Sequence, residues 1–143
     1  MKHKRNLVAG FLIPFFTFST LVWASEADEA YAASENIIDL IGSGKYNQVW
    51  NSYMSPFFKS TMTEDSFKAN LVLGRQMLGA RKSKKLIDKQ HTIGDRTTGY
   101  QGSVYAFNYK NTYGSAALYE RVVVINQDGK GFKLAGFWVQ PAQ

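Results

Sequence analysis

Apolar residues recur at helical spacing through the first part of the chain that follows residue 24. Over Ser25–Ile41 they lie three and four residues apart, and acidic residues occupy the first turn, where the helix dipole favours anions. The same spacing predicts a shorter helix over Lys45–Met54 and a third helix between Thr63, its N-cap, and Gly79. The pattern therefore predicts about three N-terminal helices.

After Gly79 the apolar residues alternate with polar ones, which is the period of a β-strand. Strands are predicted over residues 84–93, 101–110, 116–126 and 132–139. The third of these is apolar on both faces and is expected to be central in its sheet. Because the later connections are too short for crossovers, the sheet should be antiparallel. Helices that precede an antiparallel sheet of about four strands make an α+β fold.

The first 24 residues have the layout of a cleavable secretory signal peptide. Three basic residues precede an uncharged apolar run over Leu7–Val22, and small residues flank Trp23 before a cleavage site after Ala24. An uncleaved anchor is the alternative, although a membrane span needs about 20 apolar residues. We therefore predict a periplasmic or secreted protein that is not an integral membrane protein after cleavage. Residues 25–143 would form a single α+β domain.

Composition narrows the chemistry further. The chain has 17 basic and 11 acidic residues, a net charge of +6, but half of that net charge belongs to Lys2, Lys4 and Arg5 in the predicted signal segment. It has no Cys, which excludes disulfide frameworks, thiolate metal sites and cysteine nucleophiles. A periplasmic domain of this kind must be held together by its core alone.

Residues suited to catalysis are scarce in the predicted mature chain. His91 is its only His, so a site with two His ligands cannot form. Asp88 and Asp95 are poorly spaced to orient that imidazole in a Ser-His-Asp triad, and no Gly-x-Ser-x-Gly elbow or calcium loop is present. We expect no catalytic residue, metal or cofactor. A hydrolase that uses Glu120, a Tyr or His91 is the alternative.

Two charged residues fall where the pattern predicts burial. Arg75 shares a helical face with Leu71 and Leu78, and Glu120 lies on an apolar strand. An unpaired charge in either place would cost several kcal/mol. One interpretation is an ion pair that fixes the third helix on the sheet, and the other is a charged floor to a ligand pocket.

Aromatic residues would form the walls of such a ligand pocket. They are concentrated in the sheet region, where they either fill the core through cross-strand pairs or line an apolar cavity under curved strands. On the second interpretation a small apolar ligand would occupy that cavity. The candidate ligand-binding residues are Arg75, Glu120, Tyr105, Tyr109 and Trp50.

A basic segment follows the third helix, with Asp88 as its only nearby acid. One interpretation is an exposed edge strand, whose lysines oppose aggregation with the strands of other molecules. The other is a patch for an anionic partner outside the cytoplasm, such as lipid headgroups, an acidic polysaccharide or an acidic protein face. Export argues against nucleic acid. The patch residues are Arg81, Lys82, Lys84, Lys85 and Lys89.

Single spaced residues also carry a family resemblance: Trp50, Phe58-Lys59, Phe67, Arg75, Leu78-Gly79, Arg81-Lys82, Gly102, Tyr105, Tyr109, Glu120 and Gly136-Phe137. From Ile37 to Val139 the chain resembles the small exported bacterial proteins catalogued as domain of unknown function four-zero-one-nine. It departs from their pattern at Phe67, where the family usually carries Trp. The family has no assigned activity, so the resemblance implies an exported α+β domain and no particular reaction.

The function that these observations favour is an exported, non-enzymatic binding or accessory domain. It would act through a pocket or through a face shared with another envelope protein. The alternative is an interaction protein that inhibits, or gives immunity to, an envelope-directed toxin or enzyme. The expected partners are an envelope protein, an anionic envelope component or a small apolar ligand.

Overall fold

A computed structural model describes residues 25–143, the range predicted as the α+β domain, and the predicted signal peptide lies outside the described residues. Helix α1 spans Glu26–Gly42, in agreement with the prediction. The Ser25 hydroxyl accepts a hydrogen bond from the backbone N–H of Asp28, and the Asp28 carboxylate accepts one from the N–H of Ser25. This reciprocal capping box explains why the helix begins where the first apolar position follows.

The predicted helix over residues 45–54 is present but is not a regular α-helix. A single turn of α-helix, α2 (Tyr46–Gln48), passes directly into a wider π-helix over Val49–Tyr53. A further helix, α3 (Pro56–Thr61), was not predicted. Ser55-Pro56 ends the preceding helix and also begins α3, because the Ser55 hydroxyl accepts from the backbone N–H of Phe58 and proline at the first helical position sacrifices no hydrogen bond.

Helix α4 spans Glu64–Leu78, with Thr63 as N-cap and Gly79 as its end, and confirms the third predicted helix. Gly79 adopts a φ of 74°, a left-handed conformation that glycine reaches without steric cost. Phe67 is the one side chain of this helix that is fully buried. Few side chains of α4 therefore pack against the rest of the domain, although the helix has 15 residues.

Four antiparallel strands form the sheet: β1 (Arg81–Asp95), β2 (Tyr100–Tyr113), β3 (Ala117–Ile125) and β4 (Lys133–Pro141). Their order in the sheet is their order in the chain, so β3 is central, as predicted, and β1 is an edge, in agreement with one interpretation of the basic segment. β1 is longer than its weak polar pattern indicated, because its pairing with β2 continues through three register shifts. The α+β fold with N-terminal helices and a four-stranded antiparallel sheet is confirmed.

The core lies between α1 and one face of the sheet, which we call the inner face. Ile37, Ile38 and Ile41 of α1 are fully buried against inner-face residues such as Tyr109 and Val122. The opposite face, the outer face, carries the alternate residues of each strand. Within residues 25–143, no helix has the length and apolar character needed to cross a membrane.

Candidate functional site

A buried polar cluster lies where α4 meets the inner face. The Arg75 guanidinium contacts the Glu120 carboxylate, with Nη2 and Oε1 2.7 Å apart, so the ion pair predicted between helix and sheet is present. The side chains are 14% and 1% exposed, respectively. The Tyr113 hydroxyl accepts from Arg75 and donates to Glu120, and the amide of Asn111 donates to the same carboxylate.

Burial and the neighbouring Glu120 carboxylate raise the pKa of Tyr113 to about 12, so its phenol stays neutral and can donate. Asn111 Oδ1 is buried and has no hydrogen-bond partner within the described residues. None of the depressions described below is lined by a member of this cluster. Its geometry corresponds to a polar connection between helix and sheet.

A groove of about 360 Å³ opens elsewhere, between the start of α1 and the β1–β2 hairpin. This is within the range of about 300–1,000 Å³ that small-molecule sites occupy. Three elements line it: Ala27, Asp28 and Tyr31 from α1, Leu86, Lys89, Gln90 and His91 from β1, and Tyr105 and Phe107 from β2.

Aromatic rings form much of the groove wall. The rings of His91 and Tyr105, which are opposite each other in the β1–β2 register, stack with centroids 4.3 Å apart and planes 14° apart. Tyr31 reaches from α1 to the ring of Phe107, 5.6 Å away. The Tyr105 hydroxyl donates to Glu26 Oε1 over 3.2 Å, and burial together with this carboxylate raises the pKa of Tyr105.

The basic segment does not form one surface. Arg81 contacts Asp39 at 2.5 Å, and Lys84 contacts Glu35 at 2.6 Å and Asp39 at 2.8 Å, so these two cations bind β1 to α1. Lys89 lies at the groove.

The two remaining lysines, Lys82 and Lys85, are exposed and have no ion pair within the described residues. Lys82 falls in a register shift of β1, and Lys85 is opposite Lys110 of β2 on the outer face. The five residues therefore separate because a strand alternates its faces and because each bulge changes the phase of that alternation.

The candidate ligand-binding residues occupy several environments. Tyr105 lines the groove, whereas Tyr109 is fully buried and its hydroxyl lies 2.6 Å from that of Ser34. Trp50 packs on Phe67 with centroids 5.8 Å apart. The structure thus brings Arg75 and Glu120 together, with Tyr109 opposite Glu120 in the β2–β3 register. Tyr105 lies instead at the groove and Trp50 against Phe67.

Several of the groove residues are not indicated by the sequence pattern. Phe107 lies on the same face of β2 as Tyr105 and Tyr109, so the alternation of the strand could have indicated it. Tyr31 and Leu86 show no local signal for a site, because their role depends on where α1 crosses the hairpin.

His91 contributes an imidazole to the groove, but few catalytic partners surround it. Its Nε2 lies 3.3 Å from Ser103 Oγ, and within residues 25–143 no carboxylate hydrogen-bonds to the imidazole. The same described range contains no cluster of three His, Asp or Glu side chains arranged to hold a metal ion. A serine–histidine contact without an orienting third group is a weak basis for nucleophilic chemistry.

Residues 33–137 match a family model described as Protein of unknown function (DUF4019). The chain belongs to this family. In this DUF4019 protein the match includes the whole buried cluster and the β1 and β2 walls of the groove, while Ala27, Asp28 and Tyr31 precede it. Neither the curated proteins nor the solved structures contained a match to the chain.

Proposed function

We propose that this protein is an exported, non-enzymatic binding domain whose groove takes a small, largely apolar ligand with an acidic group. The observation that carries the proposal is the lining of the groove, where aromatic rings form the walls and Lys89 provides a cation. Pockets of this composition take ligands by burying apolar surface and orient them with a few polar groups.

The groove carries two charged side chains of opposite sign, Asp28 and Lys89. The Asp28 carboxylate accepts from the backbone N–H of Ser25 in the capping box of α1, so Lys89 is the charge left to contact a ligand that is anionic at one end. Lys89 has no ion pair within the described residues, whereas Lys84 on the same strand is held by two carboxylates. An acidic group beside Lys89 would gain a charge-assisted contact. The planar rings of Tyr105 and Phe107 favour an aromatic body for the ligand.

The groove proposal is tested with anilinonaphthalene sulfonate, a fluorescent aromatic sulfonate of the proposed chemistry. In titrations of the purified protein, Ala27→Trp should fill the groove and weaken binding more than about tenfold. Lys89→Gln should weaken it by about two- to fivefold, the size of an exposed charge contact.

Two variants serve as matched controls in that titration. Lys82→Gln removes an exposed lysine of the same strand away from the groove, and Leu73→Gln removes an exposed apolar side chain of α4. Both should bind the probe as the unmodified protein does. Probe binding that survives Ala27→Trp in a folded protein, or that is lost in Leu73→Gln, would contradict the groove as the binding site.

Export is a separate part of the proposal and has its own test. It is supported by the basic, apolar and small-residue layout of residues 1–24. When the full chain is expressed with a secretion pathway, mass spectrometry of the periplasmic fraction should give a chain that begins at Ser25. A full-length chain retained with the membrane fraction would instead support an uncleaved anchor.

An inhibitor of, or immunity protein against, an envelope-directed toxin or enzyme is the second candidate. The observation that favours it is the exposed apolar face of α4, where Leu73 is 65% and Met77 is 77% exposed. In pull-downs from envelope extract, this alternative predicts a protein that is retained by Ala27→Trp and lost with Leu73→Glu/Met77→Glu. The groove proposal predicts no such partner.

A further inference from the structure

The outer face of the sheet carries two aromatic side chains that each fold back over a glycine of the same strand. The far edge of the Trp138 indole occupies the space that a Cβ on Gly136 would fill, and the Tyr100 phenol does the same above Gly102. Both rings therefore lie along the strands. Trp138 is nevertheless 57% exposed, so a large part of its indole faces solvent.

Both aromatic side chains border one shallow depression of about 270 Å³. Its floor includes Val104, Val123 and Ile125 from the outer faces of β2 and β3. A second depression lies on the other side of Trp138, where Tyr119, Arg121 and Gln140 contribute to the lining. Trp138 thus separates two adjoining depressions on the same face.

A row of planar polar groups crosses the sheet and ends at Trp138. In the strand register Asp88 is opposite Asn108, Asn108 is opposite Arg121, and Arg121 is opposite Trp138. Arg121 donates to Asn108 Oδ1 over 3.1 Å and to Gln90 Oε1 over 2.9 Å, and Asn108 donates to Asp88 over 3.1 Å. These hydrogen bonds hold the amide and guanidinium groups in place before any ligand arrives.

The adjoining row adds positive charge. Lys85 and Lys110 are directly opposite each other in the β1–β2 register, and neither has an ion pair within the described residues. Like charges in this position oppose each other. Lys110 also lies 5.9 Å from the Tyr119 ring centroid. An anion placed over this row would relieve the repulsion and meet fixed donors beside an exposed indole.

We propose that the outer face binds an acidic oligosaccharide. Sugar rings present a flat C–H surface that packs on an aromatic ring, and their edge hydroxyls pair with planar amide and guanidinium groups such as those of Asn108 and Arg121. The carboxylate of a uronic acid would lie over Lys85 and Lys110. This site is on the opposite face of the sheet from the groove and does not depend on the function proposed for it.

The proposal is tested by calorimetry on the purified protein with four probes: an oligogalacturonate, a neutral cello-oligosaccharide of equal length, polyglutamate, and a single-stranded oligodeoxynucleotide. The acidic sugar should bind most tightly of the four. Trp138→Ala should weaken its binding at least about tenfold, as expected for loss of one stacked ring. Lys110→Gln should weaken it and reduce the dependence of binding on salt concentration.

Two further variants test the geometry. Gly136→Ala should weaken binding of the oligogalacturonate because its methyl group displaces the indole, while Trp138→Phe should retain most of the affinity. Lys82→Gln, which removes a lysine outside the row, should have no effect. A circular-dichroism melt of each variant establishes that it is folded.

Several outcomes would overturn the proposal. Equal binding of polyglutamate would mean that charge alone is recognised, and equal binding of the cello-oligosaccharide would remove the role of Lys85 and Lys110. Tighter binding of a single-stranded oligodeoxynucleotide would assign the face to nucleic acid. Absence of oligogalacturonate binding, or unchanged binding in folded Trp138→Ala, would remove the site.

Discussion

Glu120 is a carboxylate in the centre of an apolar strand, and its environment explains how the core accommodates it. Three donors converge on it, from Arg75, Asn111 and Tyr113. A buried ion pair of this kind gives little net stability relative to an apolar pair, because both charges lose their hydration. Removal of one member is a different matter, since the other charge is then left without compensation.

We predict that Arg75→Ala and Glu120→Ala each lower the free energy of unfolding by about 3–5 kcal/mol, because each leaves an uncompensated buried charge. The double variant Arg75→Met/Glu120→Leu should recover part of that loss, because no charge is left uncompensated although the buried Asn111 amide and Tyr113 hydroxyl lose their acceptor. Urea unfolding followed by circular dichroism measures all three. If each single variant kept the melting temperature of the unmodified protein, the cluster would have no structural role and the interpretation as a ligand floor would be favoured.

α1 and β1 are joined by a second, more exposed polar connection. Burial opposes ionisation of Asp39, but hydrogen bonds from Lys84 and Arg81 outweigh it and lower the pKa of that carboxyl. Burial likewise opposes the charge on Lys84, and hydrogen bonds to Asp39 and Glu35 outweigh it and raise the pKa of its amine. The connection is therefore strongest when the carboxylates and the lysine are all charged.

The sign of each shift defines a pH window for this connection. The Asp39 contribution is present above the ordinary pKa of 3.8 and is lost as pH falls through the lower pKa of the folded state. The Lys84 contribution is present below the ordinary pKa of 10.5 and is lost as pH rises through the higher folded value. Within that window the contribution to stability should be constant.

We predict that Lys84→Met lowers the free energy of unfolding between the ordinary pKa of Asp39, 3.8, and that of Lys84, 10.5. At alkaline pH the variant should lose less additional stability than the unmodified protein does. Unfolding free energies measured as a function of pH, at low and high salt, test this, and high salt should reduce the difference because the pair is partly exposed. Lys82→Met is the matched control, since Lys82 is exposed and has no ion pair within the described residues. Equal pH profiles for Lys84→Met and the unmodified protein would contradict the connection.

Stability is distributed unevenly over the molecule. α1 buries three isoleucines against the sheet, whereas α4 buries Phe67 and is attached further along by Arg75. Leu71 packs partly against the core, but Val72, Leu73 and Met77 are exposed. A helix with so few packed contacts is expected to open locally before the whole domain unfolds.

We predict that amides of α4 exchange with solvent faster than those of α1 and β3 in a hydrogen-exchange experiment on the native protein. Arg75→Ala should accelerate exchange in α4 more than in α1, because it removes the attachment of α4 to the sheet. Leu73→Ala provides the control, since its side chain contacts little and should leave the exchange pattern unchanged. Uniform exchange across α1 and α4 would mean that the domain opens as one unit.

The regular helices and strands could be predicted from the sequence, because the residue patterns that indicate them are local. The capped helices α1 and α4 and the alternating strands β2 to β4 each follow from residues within one segment. Ser55-Pro56 is the exception, because the same dipeptide that interrupts one helix also begins another. The pairing of Arg75 with Glu120 could also be predicted, since opposite charges on two apolar faces are costly unless they pair with each other.

The sequence by itself thus determined the order and type of α1, α4 and the four strands and which charges had to be buried, but not the π-helix over Val49–Tyr53 or α3. The tertiary structure alone decided which lysines are paired, because the carboxylates of Glu35 and Asp39 reach Lys84 only where α1 crosses β1. It also decided that Trp138 lies over Gly136 on an uncovered face. Periodicity assigns a side chain to a face, but its contacts depend on the packing of distant segments and on the rotamer that this packing leaves free.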